Sequence, residues 1–159
     1  MKVSAQEEYG MRCLLRIGSC ETPEGLTIPD ISRLEGLTSA NVAKLLRILR
    51  LGGFIESARG RAGGYKLARP TDRIVIGEVL AVLGGRIYNP SFCDTHAGSN
   101  SICNHVIDCS MRSLWRSIQS AVDVVLNRIT LKDMLGNERV FTELVATLNA
   151  GLTENQVAN

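Results

Sequence analysis

Three cysteines, Cys93, Cys103 and Cys109, fall within 17 residues, and the chain's only two histidines, His96 and His105, lie among them. Thiolate and imidazole are the ligands that hold zinc or iron–sulfur clusters. Three cysteines with one histidine form a common structural zinc set, but the C-x9-C-x5-C spacing lacks the close cysteine pairs of a zinc knuckle. Reversible disulfide formation is a third chemistry open to the same thiols. The remaining two cysteines, Cys13 and Cys20, lie on or near the first expected helix, where Cys13 reads as a small buried residue. Cys93 and His96 could in principle pair as nucleophile and base. However, the chain carries no paired carboxylates in one motif, no Ser-His-Asp pattern and no nucleotide loop, so an enzyme is not expected.

A long helix is expected to start near Asp108, with Asp108 as a cap and Cys109 in the first turn, where the helix dipole favours a thiolate. Residues 86–101, with Asn-Pro and Gly-Ser-Asn-Ser, read as loop, and a flexible loop from 86 to 108 could fold Cys93 and Cys103 onto the same centre. Leu114, Ile118, Ala121, Val122, Val125, Leu126 and Ile129 form one apolar stripe on that helix. A stripe of this length has more face than a small domain covers, so a second subunit's helix is the expected cover. A two-fold dimer would also match a palindromic duplex. The alternative cover is residues 138–150 of the same chain, also helical in pattern. Residues 151–159 read as a loose tail.

The N-terminal half has a different pattern. Ser4 with Glu7 reads as a capping box ahead of a helix with Met11, Leu14, Leu15 and Gly18 on one face. Thr27 caps a short helix over 28–34, with Pro29 in its first turn. Glu35-Gly36-Leu37 makes a tight turn. Thr38 or Ser39 then caps a third helix, whose buried stripe is Val42, Leu45, Leu46 and Leu49 and whose outward residues include Asn41, Lys44, Arg47 and Arg50. Helix, three-residue turn containing glycine, helix is the helix-turn-helix layout, whose second helix lies in the major groove. Two strand-like runs, 54–57 and 65–68, flank a Gly/Arg loop with Arg59 and Arg61 at its tip. This reads as the β-hairpin of a winged helix, thin and basic enough for a minor groove. A phosphate-cradling loop would need its glycines to open a helix, and here they precede a strand. Residues 74–83 read as a further helix.

Charge follows the same division. The 159 residues carry 18 Lys/Arg and 16 Asp/Glu, a net of +2. Residues 1–73 hold 12 bases and 8 acids, whereas 74–159 hold 6 and 8. A basic patch on a nearly neutral chain suits a polyanion, because phosphate neutralisation supplies much of the affinity. Apolar residues at 45% and charged residues at 21% describe an ordinary globular chain. No stretch approaches the roughly 18 apolar residues of a membrane span, and Glu7, Glu8, Arg12 and Arg16 argue against a secretory leader. A cytoplasmic location is expected, where five cysteines are free, metal-bound or redox-active rather than a disulfide set.

Several blocks together resemble the IscR/NsrR group of winged helix-turn-helix transcriptional regulators, the Rrf2 family. They are the opening Met1-Lys2-Val3-Ser4 with Tyr9-Gly10, the run Leu45 to Ile55, the wing Arg59 to Leu67, the segment Ile76-Gly77-Glu78-Val79, and the late cysteine loop before a long helix. The resemblance covers roughly residues 1–135 and implies a mainly α fold with a small β-hairpin wing. It further implies a homodimer that crosses long C-terminal helices and binds palindromic DNA. Residues 1–73 would be the DNA-binding domain, 74–135 the cluster loop and dimerisation helix, and 136–159 an extension.

Cluster-binding members draw three cysteines from the loop, which match Cys93, Cys103 and Cys109. In nitric-oxide-sensing members the fourth ligand is an acidic residue near the N-terminus of the partner subunit, matched here by Glu8. The histidine that IscR-like members place three residues after the last cysteine is Arg112 here, leaving His96 or His105 as substitutes. The first cysteine interval is four residues longer than the family's. Three thiolates with one carboxylate favour a four-iron over a two-iron cluster. A cluster-free thiol switch and a zinc-stabilised repressor remain the alternatives. Major-groove reading falls by the resemblance to Ser39, Ala40, Asn41, Ala43 and Lys44, flanked by Arg47. The wing residue Arg59, with Arg61 beside it, reaches the minor groove. Lysine to guanine and asparagine to adenine are sound pairings.

Overall fold

The computed structural model describes residues 2–58, 63–89, 91–97, 103 and 108–157. Helix α1 (Ala5–Gly18) opens on the expected box: Glu7 N–H donates to the Ser4 hydroxyl, and Ser4 N–H donates to the Glu7 carboxylate at 2.7 Å. Helix α2 (Ile28–Glu35) repeats the device with Thr27 and Asp30, and ends at Gly36 with φ 67°. Hydrogen bonds from the Thr27 hydroxyl and then its N–H hold the Asp30 carboxyl below the usual carboxylate range. Helix α3 (Ser39–Leu51) starts on Thr38, whose hydroxyl accepts Asn41 N–H at 3.3 Å.

Strands β1 (Ile55–Ser57) and β2 (Tyr65–Leu67) form an antiparallel hairpin that pairs Ile55 with Leu67, Glu56 with Lys66 and Ser57 with Tyr65. A 3-10 turn (Thr71–Arg73) leads into α4 (Ile76–Gly84), α5 (Phe92–Thr95), α6 (Ser110–Leu126), α7 (Leu131–Met134) and α8 (Glu138–Val157). The architecture is mainly α with one small β-hairpin.

Val42, Leu45, Leu46 and Leu49 of α3 are buried against Leu14 and Ile17 of α1 and Val79 and Leu83 of α4, in one apolar cluster. Each such side chain contributes about 2 kcal/mol on leaving water. The cluster runs on past residue 73 to Ile74, Ile76, Ile129 and Leu131. There the backbone ties the second half down: Ile76 N–H donates to Ile129 O at 2.9 Å and Leu131 N–H to Ile74 O at 2.8 Å.

Several expectations are corrected. The 86–101 stretch is not all loop, because α5 forms one turn inside it. Cys109 caps α6 instead of lying in its first turn, and Asp108 stands outside the cap. Helix α4 begins at Ile76 because Ile74 is buried in extended backbone that pairs with residues 129–131. Ile129 leaves the α6 stripe for the central core for the same reason. On α1 the buried residues include Gly10, Cys13 and Ile17, while Leu15 and Gly18 are only half-buried, since the core lies nearer the Cys13 side. Residues 151–157 continue α8 instead of forming a tail. Helix α7, absent from the sequence pattern, is a single turn with its own Thr130/Asp133 capping box.

Candidate functional site

Two regions carry the residues of interest. The first is the outer face of α3. Packing Val42, Leu45, Leu46 and Leu49 inward leaves Ser39, Ala40, Ala43, Lys44, Arg47 and Arg50 exposed on the opposite side, with Asn41 half-buried. Among the described residues, Lys44, Arg47 and Arg50 make no ion pair. An open cationic helix face is available to phosphates and base edges. The two small residues Ala40 and Ala43 add little bulk to this face.

The turn before α3 is held from three sides. Leu37 N–H donates to Ser32 O at 3.1 Å, and the Ser32 hydroxyl donates to Leu37 O. Glu35, whose side chain is 7% exposed, accepts Arg12 Nε at 2.9 Å and Arg16 Nε at 2.6 Å. Arg12 Nη2 also donates to the Glu35 carbonyl at 2.7 Å. Burial pushes the Glu35 carboxyl up, but hydrogen bonds from Arg16 and Arg12, and their charges, hold it below its ordinary value of 4.5. Beneath this clamp, burial raises the Cys13 thiol to about 11, helped by the Glu35 charge and opposed by Arg12. Cys13 is fully buried and packs in the apolar core as a small hydrophobe does.

The hairpin sits beside α3 on a second brace. Leu26 N–H donates to Tyr65 O at 3.0 Å and Tyr65 N–H to Leu26 O at 2.8 Å. Gly25 and Gly64 allow this approach: a Cβ on Gly25 would lie 2.2 Å from Tyr65 O, and one on Gly64 2.2 Å from Glu24 O. Lys66 and Glu56 pair across the hairpin at 3.3 Å. Arg59 and Arg61 at the tip lie outside the described residues.

The second region is the cysteine segment. Cys93 lies in α5, and Cys109 caps α6, its sulfur accepting Arg112 N–H at 3.4 Å. Cys93, Cys103 and Cys109 are half-buried free thiols. The segment is docked on α6 at a definite place. Gln119, 8% exposed, accepts Tyr88 N–H at 3.1 Å and donates to Asp123 at 2.9 Å, and Asp123 pairs with Arg86. Phe92 stacks on His96 with ring centroids 4.1 Å apart and approaches Trp115 of α6 at 6.5 Å. His96 Nδ1 lies 2.8 Å from Phe92 O. His105 lies outside the described residues. Glu8 is exposed on α1, and among the described residues its carboxylate has no hydrogen bond or ion pair.

The donor set is chemically suited to a soft metal or an iron–sulfur cluster. Among the described residues, no three His, Cys, Asp or Glu side chains converge as a metal-binding group. Sequence reasoning missed Glu35 and Gln119. The first sits 19 and 23 residues from its arginines, and the second is a polar residue on an otherwise apolar stripe. Neither separation leaves a local signal.

A winged helix-turn-helix with an open cationic face on its third helix is a DNA-binding architecture. Comparison with known proteins agrees. Residues 3–137 match the Rrf2 profile, described as an iron-dependent transcriptional regulator. The chain belongs to the Rrf2 family of transcriptional regulators. It is 33% identical over 135 residues to the protein rrf2 of Nitratidesulfovibrio vulgaris, covering 85% of this chain and 87% of that one. The global cysteine regulator CymR of B. subtilis shares 27% identity at a TM-score of 0.65, covering 85% and 96%. The T. potens IscR structure shares 28% at 0.65, covering 85% and 86%. The protein is thus a regulator and not an enzyme. Among the described residues no helix is long and apolar enough to cross a membrane.

Proposed function

We propose that this chain is a homodimeric, cytoplasmic regulator that reads a palindromic operator through α3 and the wing, and senses iron–sulfur cluster status, nitric oxide or redox state through its cysteine segment. Residues 1–73 form the reading unit, 74–135 the sensing loop and dimer helix, and 136–159 an extension. Ser39, Ala40, Asn41, Lys44 and Arg47 lie in the major groove, and Arg59 and Arg61 in the minor groove. The observation that carries the sensing half is the docking of the cysteine segment on α6 through Tyr88 and Gln119. That docking sits on the helix whose apolar face is exposed toward its N-terminal end, at Met111 and at Leu114, which is 48% exposed, while Val125 and Leu126 pack on the core. A second subunit's helix would cover that face.

Cys93, Cys103 and Cys109, with Glu8 of the partner subunit, would hold a cluster of the four-iron type, with His96 and His105 as lesser candidates for the fourth position. When bound, such a group supplies a centre that reacts with oxidants and nitric oxide. The chain's own contribution is mechanical. Arg86, Tyr88, Asp123 and Gln119 fix where the segment leaves α4 and meets α6. Cys109 caps α6, so any change in its bonding alters the start of the dimer helix. Reordering that junction biases two arrangements of the reading units.

The alternative is a cluster-free thiol switch or a zinc-stabilised repressor. It would use the same three half-buried free thiols, Cys93, Cys103 and Cys109. Oxygen-free purification with iron and sulfide counts separates the two. The proposed reading expects a coloured protein whose iron is lost when the three cysteines become serine, with altered operator binding. A colourless protein whose triple variant responds like the parent refutes it. For the reading head, Lys44→Ala and Arg47→Ala should each weaken operator binding, and each lost phosphate contact should reduce the salt slope by about 0.9. Unchanged affinity and slope in both would remove α3 from the groove.

A further inference from the structure

Glu35 is an odd residue to find where it is. It ends α2, and a carboxylate at a helix C-terminus opposes the helix dipole. It is also nearly buried, which disfavours its charge. Two arginines from α1, one turn apart, offset both costs, and one of them also takes up the Glu35 carbonyl. A surface ion pair of this length would matter little, but here one acceptor is screened from water and three charge-assisted bonds converge on one residue. That residue immediately precedes Gly36, the left-handed pivot of the turn into α3.

We infer that Glu35 is a specificity-determining positioning residue: it fixes the α2–α3 turn against α1 and so sets the pose in which α3 meets base edges. The inference rests on α3 being the reading helix. Glu35 itself touches no DNA in this account. Base contacts are bidentate and tolerate little displacement, whereas phosphate contacts by long cationic side chains adapt. Loosening the turn therefore weakens sequence reading and spares general attraction. Simple electrostatics gives the opposite sign. Removing one negative charge, and releasing Arg12 and Arg16, makes the face more cationic and tightens binding to any duplex.

The test uses the full-length protein and two duplexes: the tightest binder recovered from a random library, and a scramble of it. Glu35→Gln keeps the side chain's shape and removes its charge. Binding to the selected duplex should weaken about tenfold, the worth of one well-made base contact, while binding to the scramble is unchanged or tighter. The salt slope should not fall. Arg16→Gln, at an exposed side chain, removes one arm of the clamp and should shift the ratio in the same direction. It decides the question if Glu35→Gln does not fold, which circular dichroism reports. A wild-type preference that survives in a folded variant overturns the role of Glu35 alone. So does equal weakening on both duplexes. A wild type that never prefers the selected duplex overturns both this inference and the reading of α3 as the recognition helix.

Discussion

Replacing Gly25 with alanine should damage the wing far more than the same change at Gly36, though both glycines have nearly the same backbone angle. Gly25 has φ 71° and Gly36 has φ 67°. An L-residue in that region costs roughly 1–2 kcal/mol at either site. The gain from a stiffer unfolded chain is also common to both. The surroundings differ. Nothing lies within 4 Å of a Cβ on Gly36, whereas one on Gly25 would sit 2.2 Å from Tyr65 O and 2.7 Å from its carbonyl carbon. Backbone cannot swing aside as a side-chain end can, so the Leu26–Tyr65 pair must open. It holds two hydrogen bonds, each worth about 1 kcal/mol net. Less that gain of roughly 0.4–1 kcal/mol, the total at Gly25 is about 2–3.5 kcal/mol, a large share of a typical domain's stability. Thermal unfolding at one protein concentration should show a fall of roughly 10 °C for Gly25→Ala and roughly 4 °C for Gly36→Ala. Operator binding by the first should weaken even well below its melting point, since the hairpin has lost its brace. Equal falls in the two variants would refute the steric argument and leave the backbone angle as the whole effect.

Two further outcomes follow from titrating groups. The Glu35 carboxyl lies below its ordinary 4.5, so its clamp contributes stability at higher pH and loses it as pH falls through the folded value. Glu35→Gln should therefore flatten the stability profile below about pH 4.5 and leave its slope near neutrality unchanged, as followed by denaturant unfolding across pH. Cys13, with its thiol near 11 and fully buried, should resist alkylation at pH 8 while Cys93, Cys103 and Cys109 react, as mass spectrometry of the folded, metal-free protein would show. Rapid labelling of Cys13 in folded protein would contradict its burial.

Local chemistry alone made much of this protein legible. Ser4 with Glu7, and Thr27, announce helix starts because a hydroxyl answers an orphan N–H within three residues. The α3 stripe of Val42, Leu45, Leu46 and Leu49 appears at the expected positions because one side of a helix has a fixed period. The hairpin is readable from two short β-prone runs around glycines. The exposed cationic face of α3 follows from the stripe, since the residues left over point outward. What depends on meetings across the chain was not readable. Extended pairing of residues 74–76 with 129–131 delays α4 and pulls Ile129 into the core, although both positions look helical in isolation.

The same division governs the functional groups. The amino-acid order determined which side chains exist to do chemistry: three clustered thiols, a row of cations, and glycines where the hairpin must approach its neighbour. Tertiary structure alone decided their working positions. It placed Glu35 between two arginines, set Gln119 to receive the Tyr88 N–H, and made Cys109 a helix cap instead of a first-turn residue. A hydrogen bond between residues 31 apart depends on how the segment after α4 packs on α6. Packing is the sum of many weak contacts, and no single stretch of sequence contains that sum.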